Sequence, residues 1–236
     1  MKKYLKAVTF SYDDGVRQDR RLIDVFDRYG LKATFNLNSA LLGKTGELVR
    51  DGVRIRHDKN APEEVRDIYK NHEVASHTLT HPFLPDLADE EVIRQVEEDR
   101  LALSELCGKE VVGFAYPGGG INFNERVAKL IAENTGIRYC RTTVSTGNFD
   151  VQSDLTVFKP TVYHHAEFDK MEALADEFLA LKPEKPQVFY IWGHAYEFDI
   201  RDEWDRMARF CEKIGGKDDI FYGTNREVLL EKEWMA

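Results

Sequence analysis

The sequence predicts an α/β fold, an irregular (β/α)7-type barrel in a single domain. Short apolar, β-branched runs alternate with longer segments of helical period about seven or eight times along the chain, the pattern of βαβ units and a parallel sheet. No Ser/Gly-rich tract, low-complexity stretch or fixed-period repeat interrupts the 236 residues, so residues 1–236 read as one unit. Polar residues able to do chemistry fall at the ends of several runs, as the rim of a parallel barrel requires. An open doubly wound sheet is the alternative. It gains no support from nucleotide motifs, because no GxGxxG follows a strand and no GxxxxGK(S/T) is present.

Each element follows from period and punctuation. KAVTFSY (6–12) reads as a strand and QDRRLIDVFDRYG (18–30) as a helix closing on glycine. KATFNLN (32–38) is a strand, PEEVRDIYKN (62–71) a helix with proline in its first turn, and HEVASH (72–77) a strand. DEEVIRQVEEDRLALSELCG (89–108) is the longest helix, with acids early and Gly108 at its end. Strand 111–117, helix 124–136 and strand 139–144 follow. Strand 155–163 carries Pro160, which marks an edge or bulge. Helix 168–182, strand 187–194, helix 203–215, strand 220–224 and helix 225–235 complete the pattern.

Composition narrows the function classes. A hydrophobic fraction of 42% is enough for a buried core and excludes wholesale disorder. The formal charge of −9 argues against a nucleic-acid surface, which needs a basic patch. Three well-separated cysteines, Cys107, Cys140 and Cys211, with no CxxC, fit reduced thiols. The basic start MKKYLK lacks the apolar core of a signal peptide, and no run is long enough to span a membrane. The expectation is a cytoplasmic protein without membrane or nucleic-acid partners; its oligomeric state is open.

The strand-end residues form a constellation. The first strand ends in Asp13 and Asp14, with glycine next; Asp-Asp-Gly is also an ordinary turn. The third ends in SHTLTHP, giving His77 and His81 at i, i+4, within reach of one ion, though Pro82 places them in a loop or short turn. The fourth ends in YPGGG and a later one in His194 of IWGHAYEF. A hydrolytic metal site needs about three protein ligands and an open position. One aspartate would complete the set, and the other would stay in reach of the activated water as a base. Adjacent side chains point different ways, so the two acids divide these jobs. His194 is a candidate general acid.

TFSYDDG, SHTLTH, FAYPGG and IWGHAYEF resemble, in order and approximate position, the motifs of the polysaccharide deacetylase family (NodB homology domain, carbohydrate esterase family 4). The resemblance covers nearly the whole chain. It implies a seven-stranded irregular barrel and metal-dependent removal of an N-acetyl, sometimes O-acetyl, group. By resemblance Asp13 is the base, Asp14, His77 and His81 the metal ligands, His194 the acid, and the amide of Gly118 an oxyanion donor. Zinc is the first expectation for the ion, with nickel, cobalt, manganese or iron also fitting. The substrate expected is an amino sugar or oligosaccharide; a non-sugar linear or cyclic amide, and a degenerate barrel that only binds carbohydrate, are the alternatives.

Three departures qualify the match. Ala115 stands where the family carries an arginine that steadies the base. The fourth motif has no clear counterpart, STGNFD with Phe149 and Asp150 being nearest. Trp192 and Glu197 in the last motif are candidates to supply work done elsewhere in better-known members. Tyr116, Phe149, Trp192 and Tyr196 are candidates for a sugar-stacking wall. His164 or His165 could reach the pocket, as could Asn36 or Asn38. His72 and Glu73 read as structural and His57 as a surface residue.

Overall fold

A computed structural model describes residues 3–235. The elements run β1 (Lys6–Asp13), α1 (Asp19–Arg28), β2 (Ala33–Leu37), β3 (Glu47–Arg50), β4 (Val53–Arg56), α2 (Val65–Ile68), β5 (Glu73–Ser76), α3 (Asp89–Cys107), β6 (Gly113–Ala115), α4 (Glu125–Asn134), β7 (Tyr139–Arg141), β8 (Val162–Tyr163), α5 (Phe168–Ala180), β9 (Gln187–His194), α6 (Trp204–Ile214) and β10 (Ile220–Tyr222). A π-helical turn, Glu227–Glu231, follows. The main sheet is parallel, in the order β7-β6-β5-β2-β1-β9-β8, and curls into the irregular barrel of a single α/β domain.

Strand β1 is buried at every position and organises the sheet. A parallel strand covered on both faces needs a near-continuous run without strict alternation, which AVTFSY supplies. One edge of β1 pairs with β9 along its whole length. The other edge is shared, Lys6–Val8 pairing with β10 and Phe10–Asp13 with β2. Asp13 therefore ends level with Asn36 and His194 on the two neighbouring strands. The gap between β7 and β8 is spanned by irregular backbone: Arg141 bridges Phe158, and the Thr161 N–H donates to the Tyr190 carbonyl at 2.8 Å.

The helices pack their apolar stripes on the sheet. Leu22, Ile23, Val25 and Phe26 of α1 are buried, as are Met207, Phe210, Cys211 and Ile214 of α6. Helix α3 stops at Gly108 in the left-handed region (φ 73°), and α4 starts at Asn124, whose side chain accepts from the Val127 N–H at 2.9 Å. No helix among the described residues is long and apolar enough to cross a membrane. The cysteines are free thiols, and burial pushes Cys140 up to about 12.

Several sequence-level expectations change. The strand expected over 155–163 shrinks to Val162–Tyr163, because Pro160 cannot donate to a ladder. The helix expected over 62–71 is a 3-10 turn, Pro62–Glu64, followed by the single turn α2. The helix expected over 225–235 is the π-turn, ended by Lys232 at φ 51°. A hairpin, β3–β4, occupies a stretch given no element. Its signal is in the sequence: Asp51-Gly52 between alternating runs, both residues at positive φ (52° and 77°) as a two-residue I′-type turn requires.

Packing is tight beneath β9. A Cβ on Gly193 would lie 1.9 Å from His164 Nδ1, on a ring stacked on Phe198 at 4.4 Å and on Tyr12 at 5.5 Å. Gly193→Ala is expected to cost about 2–3 kcal/mol through overpacking, a fall of roughly 4–12 °C in Tm for a chain of this size, measured by thermal unfolding. An unchanged Tm would show that the His164 ring relocates freely.

Candidate active site

The chemistry-bearing strand ends converge on one cavity of about 560 Å³. Asp13, Asp14, His77, His81, Gly118, Trp192 and His194 line it, with Tyr116 at its wall. A cavity of similar size, about 530 Å³, lies at the other end of the barrel beside His72 and Glu73. There Lys32, Arg66 and Lys109 donate to backbone carbonyls, and Glu73 accepts from Thr34, Tyr139 and the Arg226 N–H, so its polar groups hold structure.

Asp13 is 2% exposed, and both its oxygens are engaged. Asn36 Nδ2 donates to Oδ1 at 2.8 Å, and Arg141 Nη2 donates to Oδ2 at 2.6 Å. Arg141 is fully buried, with its guanidinium carbon 4.4 Å from the Trp192 ring centroid. It ends β7 directly beside Ala115 of β6 in register. The arginine missing at position 115 is thus delivered from the next strand. Sequence reading missed it, although YCRTTV places an arginine in the middle of a short strand, where a buried charge needs a partner.

Asp14 occupies the left-handed region at φ 83°, costly for any residue except glycine and tolerated best by Asp and Asn. This breaks the alternation of the strand, so its carboxylate lines the same cavity as that of Asp13 but with different partners. Its N–H donates to the Asn36 carbonyl at 2.9 Å, and Lys59 Nζ donates to its carbonyl at 2.7 Å. Burial would raise the Asp14 pKa, but Lys59 at 3.5 Å and the His57 hydrogen bond at 3.1 Å outweigh it and hold the carboxylate well below its usual range. His57 is therefore a site residue and not the surface histidine expected from its polar loop.

The HTLTH segment is a loop, with Thr78 at φ 69° and His81 at φ 61°. Asn38 Nδ2 donates to the carbonyls of His77 and Thr78 at 2.5 and 3.0 Å, and Asp99 accepts from the His77 and Ser39 N–H groups and the Ser76 hydroxyl. Gln95 fixes the far side through Thr80 and Leu79. The two imidazole centroids lie 4.9 Å apart. His77 Nδ1–H donates to the Ala115 carbonyl at 2.7 Å, which leaves Nε2 as the free lone pair. Burial lowers the His77 pKa to about 4, so that lone pair is available at neutral pH. One ligand atom each from Asp14, His77 and His81 lies within 4.8 Å of the others. Two imidazole nitrogens and one carboxylate oxygen, beside an open cavity, fit a divalent transition-metal ion.

His194 faces this group from β9. Its Nδ1–H donates to Glu197 Oε1 at 3.1 Å, its backbone N–H donates to Oε2 at 2.9 Å, and Nε2 lies 3.9 Å from Asp13 Oδ2. Burial would lower the His194 pKa, but the Glu197 charge and hydrogen bond outweigh it and raise it. Glu197 is fully buried; despite that penalty, His194, His164 and Arg50 hold its pKa at about 2. Arg50 pairs with it at 2.8 Å, and the Tyr163 hydroxyl also donates to it.

The remaining candidates separate. Trp192 stacks on Tyr163 at 4.3 Å and lines the cavity. Tyr116 is fully buried, its hydroxyl donating to the Thr156 carbonyl at 2.9 Å. Phe149 is not at the site: it packs in the core against Phe178 and Phe189, at 4.9 and 5.4 Å, because the neighbouring chain runs antiparallel to the start of β9. Asp150 pairs with Lys185 on the surface, so STGNFD supplies no fourth motif. Neither His164 nor His165 lines the cavity: one is stacked behind β9, and the other bonds Asp51 at 3.0 Å.

Arg141→Met would leave Asp13 buried without its counter-ion. A loss of about 3–5 kcal/mol is expected, read as a fall in the urea midpoint. Retention of full stability would show that Asn36 alone satisfies the carboxylate.

A family model described as polysaccharide deacetylase matches residues 2–140. Among solved structures, a peptidoglycan N-acetylglucosamine deacetylase in complex with a substituted benzamide superposes with a TM-score of 0.57 at 17% identity, over 99% of this chain and 96% of that one. A family 4 carbohydrate esterase from Streptomyces lividans in complex with acetate gives 0.56 at 17% identity, over 94% and 93%. These show a shared fold. The chain spans less than two thirds of the length of two others, 44% of a Bacillus cereus polysaccharide deacetylase and 61% of a Streptococcus pyogenes deacetylase. With more than half its residues matched by the family model, the chain belongs to the polysaccharide deacetylase family.

Proposed function

We propose that the chain is a metal-dependent hydrolase removing an N-acetyl group from an amino sugar or oligosaccharide. The observation that carries this reading is the separation of a three-ligand cluster, Asp14, His77 and His81, from a differently held acid and base, Asp13 and His194, in one cavity. The peptidoglycan N-acetylglucosamine deacetylase that shares the fold supports an amino-sugar substrate. A divalent ion held by those three residues, zinc first, supplies a Lewis acid and lowers the pKa of water.

The chain's own groups do the rest. Asp13, with its oxygens fixed by Arg141 and Asn36, takes the proton of the attacking water. The Gly118 N–H has no acceptor among the described residues, and Gly118 lines the cavity, which suits a donor to the developing oxyanion. His194, oriented by Glu197 through Nδ1, presents Nε2 to protonate the leaving amine. The non-sugar amide alternative would account for an arginine missing beside the base, and Arg141 removes that one reason for it.

Asp13→Asn is expected to lower acetate release by about 10²–10⁴-fold, with a lower urea midpoint because buried Arg141 loses its counter-ion. Metal analysis of untreated protein should find a divalent ion, lost in Asp14→Asn or His81→Ala. Chelation should abolish acetate release and metal should restore it. Protein that carries no metal and gains no activity from any would overturn the reading.

The pH profile separates Glu197 from a packing role. His194 must be protonated to act as an acid, so activity falls as pH rises through its raised pKa. Glu197→Gln removes the charge that raises it, and the alkaline limb of kcat/KM should move to lower pH. An unmoved limb with only a scaled rate would assign that limb to another group.

A further inference from the structure

The two halves of the cavity rim are built differently. Ring order places β8, β9, β1 and β2 on one side and β6 and β7 on the other. The β3–β4 hairpin leaves the rim after β2 and runs along the first side. At its stem Lys59 and His57 bond Asp14, and Gln18 Nε2 donates to the Arg56 carbonyl at 3.0 Å. Next to the turn, Arg50 donates to Glu197 and to the hydroxyls of Tyr196 and Tyr163. At its tip Asp51 accepts from His165 at 3.0 Å and Arg201 at 3.2 Å. The hairpin is a strap, tied at stem and tip to the loops after β1, β8 and β9, and its Arg50 lines that half of the cavity.

The other half is a low lip made of Gly118, Gly119, Gly120, Ile121, Thr143 and Val144. Asn122, fully buried, donates to the carbonyls of Tyr116, Pro117 and Gly118 at 2.7, 3.2 and 3.0 Å. Thr143 Oγ1 donates to the Gly120 carbonyl at 2.8 Å, joining the two loops. The carbonyls of Tyr116, Pro117, Gly118 and Gly120 are thus engaged, while among the described residues the N–H groups of Gly118 to Ile121 have no acceptor. Ile121 is 78% exposed and Val144 38%.

Gly119 is the informative residue. Its φ lies outside the left-handed region, and a Cβ there would meet nothing within 4 Å. A side chain added there would stand in the open space over the lip, where only a ligand would meet it.

The geometry points to a one-sided pocket that accepts an acetylamino group on a single sugar or at a chain end, not within a polymer. The body of the substrate lies over Gly119 and against Ile121 and Val144, and the strap blocks continuation on the opposite side. An internal unit would need a groove open in both directions. This inference rests on the amino-sugar reading above and deepens it.

The test uses the full-length, metal-loaded chain and N,N′,N″-triacetylchitotriose, with the position of each lost acetyl read by mass spectrometry. Loss from a terminal unit alone is expected; loss from the internal unit would overturn the proposal. Gly119→Val should leave Tm unchanged and raise KM by roughly tenfold or more, because the added side chain meets only the substrate. An unchanged KM in that variant would also overturn it. Bulk acetate release tests the hydrolase reading and the position of the lost acetyl tests the pocket's shape, so the two fail separately.

Discussion

The buried contact between Arg141 and Asp13 is the constraint around which the site is arranged. At 2.6 Å, with both residues at or below 2% exposure, it joins two strands that lie four places apart on the curled sheet, and so crosses the barrel mouth. Taking two charges out of water is expensive, and the attraction repays the cost only where the geometry is good and the other hydrogen-bonding sites are met. Asn36 meets the second oxygen of the carboxylate; on the other side Arg141 Nε and Nη1 are buried without a hydrogen-bond partner among the described residues, and the guanidinium lies over the Trp192 ring instead. Asp13 is thereby held in one direction, and Trp192 is held flat between Arg141 and Tyr163.

Around that pair, strain is spent on separating functions. Two adjacent carboxylates in an extended strand would point to opposite faces of the sheet. The left-handed backbone at Asp14 breaks that alternation and lets both reach one cavity with different partners. The strap offsets the cost: Lys59 and His57 bond Asp14, and Asn60 Nδ2 donates to the Val16 carbonyl at 2.8 Å just beyond. In the same way Asn38, Asp99 and Gln95 keep Thr78 and His81 in conformations that free residues seldom adopt. Asp99 and Gln95 lie in α3, which packing already makes rigid, and Asn38 directly follows β2.

Much of the fold was legible because period and punctuation are local signals. The run AVTFSY, the stripe of α1 and the glycine after α3 fix their elements without reference to distant residues. The segment around Pro160 and the turn after Pro62 were harder, since each competes between a weak local preference and what neighbours allow. The hairpin was overlooked despite its Asp-Gly turn, because it lies off the main sheet and breaks the strand–helix rhythm. Phe149 shows the opposite error: an aromatic near a motif-like stretch was assigned to the site, but its core contacts depend on where β9 and α5 pass.

By itself the sequence determined the fold class and the residues that gather at the rim, Asp13, Asp14, His77, His81 and His194, since residue type and strand-end position are both written along the chain. The tertiary structure decided what holds them. Arg141 replaces an arginine expected at position 115 because parallel pairing puts the two positions side by side, a relation that sequence distance hides. Glu197, His57 and Lys59 became part of the site, and Arg50 of the strap came to line the cavity, for the same reason. Burial and long-range hydrogen bonds set the charge state and direction of a side chain, and both arise only when distant segments meet.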